Sequence, residues 1–82
     1  MRGVKIRIYK RDETKPDTTI SIPLGILRFA TKLIPKHAMA TLLEYGVDVK
    51  EIVELAQQDE VQGTLVEIEK HRKNERIIIS VE

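Results

Sequence analysis

The spacing of apolar and polar positions changes period twice along the chain. Val4, Ile6 and Ile8 alternate with Lys5, Arg7 and Tyr9, the period of a strand with one buried face. The polar stretch RDETKPD, with Pro16 inside it, predicts a turn. Thr18–Ile22 alternates again with Ile20 and Ile22 on one face, so the first two strands read as a hairpin with a loop of several residues. At the other end Gly63 opens a second hairpin. Val66 and Ile68 alternate with Glu67 and Glu69, the loop HRKNE carries the turn former Asn74, and Ile77, Ile79 and Val81 alternate with Ile78 and Ser80. That register points Ile78 to the face opposite Ile77 and Ile79.

Between the hairpins the period becomes helical. Pro23–Ile34 predicts a first helix, with Ser21 just ahead of it and proline suited to a first turn. Leu24, Leu27 and Ile34 lie along one side; Ile26, Phe29, Ala30 and Leu33 widen the stripe until only Arg28, Thr31 and Lys32 are clearly polar. Gly25 either weakens this helix, by about 1 kcal/mol relative to Ala, or permits close approach by another backbone. Pro35 ends it. A second helix covers Lys36–Tyr45, with Ala38, Met39, Leu42 and Leu43 apolar and Gly46 at the position past its end that needs a left-handed conformation. The third has a full start signal in VDVKEI: Asp48 as N-cap, Glu51 completing a capping box, Val47 and Ile52 as a hydrophobic staple. Ile52, Leu55 and Ala56 form its stripe, and it frays over Gln57–Glu60. The order β-β-α-α-α-β-β predicts a single α+β domain over residues 1–82, an antiparallel sheet made from two terminal hairpins with helices packed on one face.

Size sharpens the question of where the apolar first helix goes. A domain of 82 residues buries only about 60% of the surface its unfolded chain exposes. There is no cysteine, which removes disulfides, thiolate metal sites and thiol catalysis. Oligomerisation is the remaining aid to a small core. A homodimer is therefore the expected state, with an interface at Leu24, Leu27, Phe29, Thr31 and Ile34 of the first helix together with Ile78 and a sheet edge or face. Exchange of a terminal hairpin between chains is a variant of the same expectation. The N-terminus alternates charge with Val and Ile and has no signal-peptide core, and no apolar run approaches the roughly 20 residues of a membrane span. The expected location is the cytoplasm.

Net charge is +1, but residues 1–36 carry nine basic against three acidic residues and residues 37–82 five against ten. This asymmetry fits either an anion-binding face or basic strands set beside acidic ones. A nucleic-acid-binding module would use the basic N-terminal hairpin, with Arg2, Lys5, Arg7, Lys10 and Arg11. Against it stand only three aromatic residues, Tyr9, Phe29 and Tyr45, and a pI of about 8.0. Lys5 and Arg7 are instead expected to face Glu67 and Glu69 across the sheet. A membrane-surface sensor would use helix 23–34, with Arg28 and Lys32 on its polar side; Phe29 is its one candidate anchor, and the cationic face is narrow.

Candidate chemistry is sparse. His37 and His71 lack a second ligand at metal spacing. Asp48, Glu51 and Glu54 are explained by capping and a solvated helix face, Ser21 and Ser80 have no nearby base, and the isolated glycines build no phosphate cradle. The expectation is a non-enzymatic protein–protein interaction module with no cofactor and no metal.

The string ISIPLGILRFATKLIPK, followed by LLEYGVDVKEIVEL and GTLVEIE, resembles a small bacterial domain of the LiaX/YvlB-like group, which in many members follows a short SHOCT-like helical segment. Members show a V/I-x-V/I-P-L-x-L/I-x-R/K run, IPK or IPKE, then G-I/V-D and a closing acidic hairpin. Ile20, Ile22, Pro23, Leu24, Arg28, Ile34–Lys36, Gly46–Asp48 and Gly63–Glu69 fit that pattern. The resemblance implies a link to cell-envelope stress sensing or signalling and supplies no functional residues; no SHOCT-like segment is read in this sequence.

Overall fold

Both hairpins form, and they join along the first and last strands. The computed structural model describes residues 2–11 and 13–82, without the side chain of Lys73. β1 (Gly3–Lys10) and β2 (Thr18–Pro23) make the first hairpin; β3 (Gly63–Lys70) and β4 (Glu75–Val81) make the second. The predicted turn between β1 and β2 includes Asp12, which lies outside the described residues. β1 pairs antiparallel with β4, Val4 opposite Val81 and Ile8 opposite Ile77. The result is a four-stranded antiparallel sheet in the order β2-β1-β4-β3. The α+β class, the hairpin-derived sheet and the helical layer on one face are as the sequence pattern predicts.

The alternation of each strand sends one set of side chains under the helices. Val4, Ile6, Ile8, Ile22, Ile68, Ile77, Ile79 and Val81 are buried there, against Leu27, Ala30, Ile34, Ala38, Leu42, Val49, Ile52 and Ala56 of the helical layer. At roughly 1.5–3 kcal/mol per fully buried large aliphatic side chain, this layer contact is the main favourable term of the fold.

The predicted helix 23–34 is not one helix. Pro23 stays extended (φ −60°, ψ 151°) as the last residue of β2. The chain then makes a 3-10 segment, Leu24–Phe29, broken at Ile26 (φ −122°, ψ 16°). Only α1 (Ala30–Leu33) is α-helical. Two causes combine. Gly25 and Ile26 are weak helix formers in the first turn, and no side chain caps the start. The segment must also lay Leu27 and Ala30 on a sheet that it leaves without a linker, so packing overrides the apolar pattern. Ile34 is extended (ψ 127°), as the residue before Pro35 must be.

The other helices follow their end signals. α2 (Lys36–Glu44) closes with Gly46 at φ 75°, Val47 N–H donating to Leu42 C=O at 2.8 Å and Gly46 N–H to Leu43 C=O at 3.1 Å, the paired bonds of a Schellman motif. α3 (Val49–Ala56) starts at Asp48, whose Oδ1 accepts from the Lys50 N–H at 2.9 Å. The reciprocal bond from Glu51 back to Asp48, the other half of the capping box, is not among the hydrogen bonds of the described residues.

Candidate functional site

Packing splits the 24–34 stretch into two faces. Leu27, Ala30 and Ile34 enter the core and Leu24 is half-buried, whereas Ile26, Phe29 and Leu33 remain 41%, 41% and 44% exposed. These three sit three and four residues apart on the outer side of the stretch, called the outer ridge below; Leu43, Tyr45 and Leu55 are the other exposed large apolar side chains of the described residues. The Arg28 guanidinium lies 4.9 Å from the centroid of the Phe29 ring, close enough for a cation–π contact. The interface set expected from sequence is therefore not one surface. Leu27 and Ile34 are core residues and Leu24 is partly so; Phe29 and Thr31 are exposed on the helical side; Ile78 is half-buried on the opposite face of the sheet, in register with Arg7 and Glu67.

The open face of the sheet is held by charge. Arg7 donates to both carboxylate oxygens of Glu82, at 3.0 Å to Oε1, and to Ser80 Oγ at 3.2 Å; Ser80 in turn donates to Glu82 Oε2 at 2.7 Å. Lys5 Nζ stands 3.9 Å from the same carboxylate. The Arg7 and Ser80 hydrogen bonds hold the Glu82 carboxyl down at about 2, and Glu82 raises the Arg7 guanidinium in return. Arg76 stacks over Tyr9 at 4.5 Å. The expected partnership of Lys5 and Arg7 with Glu67 and Glu69 does not form, because β4 lies between β1 and β3 and the glutamates stand opposite Ile78 and Arg76. Of the other basic residues, Lys10 Nζ is 3.6 Å from Asp17.

A third cluster ties α2 to the second hairpin. Glu75, a buried acid, accepts from or pairs with His37 Nε2 at 3.0 and 3.1 Å. Lys70 Nζ reaches Glu44 Oε2 at 3.1 Å and donates to the buried Thr41 Oγ1 at 3.4 Å, while Thr41 donates to His37 C=O at 3.2 Å. Each group is partnered within the cluster, which reads as a polar tie between layers. His71 is separate and exposed, 3.9 Å from Glu69. Asp48, Glu51 and Glu54 are exposed on α3. Among the described residues no group of three or more His, Asp or Glu is placed to hold a metal. No helix among them is long and apolar enough to cross a membrane.

The chain matches the family model described as the YvlB-like protein, C-terminal domain, over residues 2–80. It belongs to that family. No curated protein and no solved structure matches the chain. In this YvlB-like domain the matched span contains all four strands to Ser80, the outer ridge and the His37–Glu75 tie.

Three residues of the YvlB-like domain carry structure that periodicity does not display. Arg2 turns to the helical side and donates to the carbonyls of Ala56 (3.3 Å), Gln58, Asp59 (2.7 Å) and Val61 (2.5 Å), clamping the chain as it leaves α3. It is thus not part of a basic strand face. Gly3 is where backbones crowd: an added Cβ would stand 2.5 Å from Ile22 O. Of the two readings of Gly25, close approach by another backbone is not seen among the described residues, where an added Cβ would meet open space. Glu75 gives no signal in sequence, because its burial depends on α2 crossing the end of the sheet. The concavities are modest. A polar groove of about 320 Å³ lies between Arg11, Glu13, Lys70, His71 and Arg76, and the void between sheet and helices is about 10 Å³, too small for a ligand.

Proposed function

We propose that this YvlB-like domain is a non-enzymatic interaction module that self-associates as a homodimer through the outer ridge of the 24–33 stretch. The carrying observation is the joint exposure of Ile26, Phe29 and Leu33 beside a core that the same stretch helps to fill. Grouped apolar side chains on a solvated face cost solubility and mark contact surfaces. The ridge also pairs an aromatic with an arginine, the composition enriched at the centres of protein interfaces. A cytoplasmic setting extends this reading from the charged, strand-like N-terminal pattern, and a role in cell-envelope stress signalling extends it from the family resemblance. Nucleic-acid binding has less support, since Lys5, Arg7 and Lys10 each face a carboxylate.

Light scattering coupled to size exclusion at tens of micromolar tests the proposal. The wild-type chain should run as a dimer, and Phe29→Glu should run as a folded monomer with an unchanged circular-dichroism spectrum. A monomeric wild type, or a Phe29→Glu variant that dimerises as well as wild type, contradicts it.

A further inference from the structure

The two edges of the sheet differ. β3, at one edge, carries a bulge between Thr64 and Val66 and the charged residues Glu67, Glu69 and Lys70. Bulges and charges are the usual means of keeping an edge from pairing with another chain. β2, at the other edge, runs TTISIP with an unbroken register against β1 and no charged residue. Its one guard is Pro23, at its last position.

The ladder fixes which groups β2 offers. Gly3 exchanges both backbone bonds with Glu82, so the odd residues of β1 bond toward β4. Antiparallel pairing alternates, so the even residues bond toward β2; Leu24 N–H donating to Arg2 C=O at 3.2 Å agrees. In β2, Ile20 and Ile22 therefore turn their N–H and C=O groups inward to β1. Thr19 and Ser21 turn theirs outward, and both residues are exposed. These outward groups are complementary to themselves under a two-fold axis through Ile20. Thr19 of one chain then stands opposite Ser21 of the other, and the reverse, in two bonded pairs. Pro23, with no N–H to give, falls beyond those pairs.

Resting on the self-association proposed above, we infer that the partner is a second copy of this chain, paired antiparallel along β2 into a continuous eight-stranded sheet. The second copy fits this edge because β2 carries no charge that would repel its own copy and its register is unbroken. A partner strand needs N–H and C=O groups at alternate residues, and the two-fold supplies them from the same two residues on each side. The pairing places Ile20, half-buried in the single chain, opposite its own copy on the helical side of the sheet. The 3-10 segment that bears Ile26 and Phe29 lies over β1 and β2. The two ridges are then brought to the same side of the joint, and the edge contact and the ridge contact become one interface.

Ser21→Pro tests the pairing. It removes an outward N–H that no bond among the described residues uses, and proline is tolerated at such edge positions. The expected result is a folded variant whose dimer dissociation constant rises about tenfold or more. Amide exchange on the wild-type chain is the second readout and decides the matter if Ser21→Pro does not fold. The Thr19 and Ser21 amides should become more protected as concentration rises through the dimer transition. A wild-type dimer that Phe29→Glu breaks but Ser21→Pro leaves intact, or amides whose exchange does not change with concentration, overturns the β2 pairing and leaves ridge-mediated dimerisation standing. A chain monomeric at every concentration overturns both.

Discussion

Glu75 shows how one buried charge constrains a small fold. Its carboxylate is sheltered between α2 and the end of β4, with His37 as its hydrogen-bond partner. Replacing His37 by Ala leaves a buried acceptor unmade, at a cost of about 1–3 kcal/mol. Denaturant unfolding should show that loss, and Glu75→Gln combined with His37→Ala should recover part of it. Glu82 makes an electrostatic prediction of the opposite kind, on the open face. Its folded-state carboxyl lies at about 2 against an ordinary 4.5. A lowered folded value stabilises the native state at pH above the unfolded value, and that contribution disappears as pH falls through the folded one. The stability advantage of wild type over Glu82→Gln should therefore be full above pH 4.5 and gone near pH 2, in urea titrations across that window. Neither residue announces itself in sequence. Glu75 looks like a turn-proximal acid, and the partner of Arg7 depends on which strand lies next to β1. Asp48 and Gly46 are legible because a cap or a left-handed position is set by neighbours a few residues away.

The 24–34 stretch marks the boundary of legibility at the level of elements. Strands were readable because alternation alone fixes which residues face inward, and Val4, Ile6, Ile8, Ile77, Ile79 and Val81 are all buried as that alternation requires. The stretch after Pro23 was apolar on too many sides for periodicity to choose a face. Its conformation is set by the sheet beneath it, which takes Leu27, Ala30 and Ile34 and leaves Ile26, Phe29 and Leu33 outside. The division predicts a contrast between neighbours. Leu27→Ala should cost about 2–5 kcal/mol in thermal or denaturant unfolding, as truncation of a buried leucine does. Leu33→Ala should leave the stability of the isolated chain nearly unchanged. Equal losses at the two positions would show that the stretch packs as a uniform core helix.

Across the whole molecule part of the uneven charge of the sequence is met by internal pairs. Basic Lys5 and Arg7 of the N-terminal strand meet Glu82 from the far end of the chain, and Lys70 meets Glu44. Two further surfaces of the described residues stand open: the ridge on the helical layer, and the outward backbone groups of β2 beneath it. Both lie on the same side of the molecule, since the 3-10 segment covers β1 and β2. A chain of this size gains from covering them with a second copy, which adds buried area without adding sequence. The most direct test is sedimentation equilibrium of the wild-type chain from about 1 μM to about 1 mM. A single monomer–dimer equilibrium, with the dimer dominant at tens of micromolar, is the predicted result. A mass that stays at 9.4 kDa throughout contradicts it.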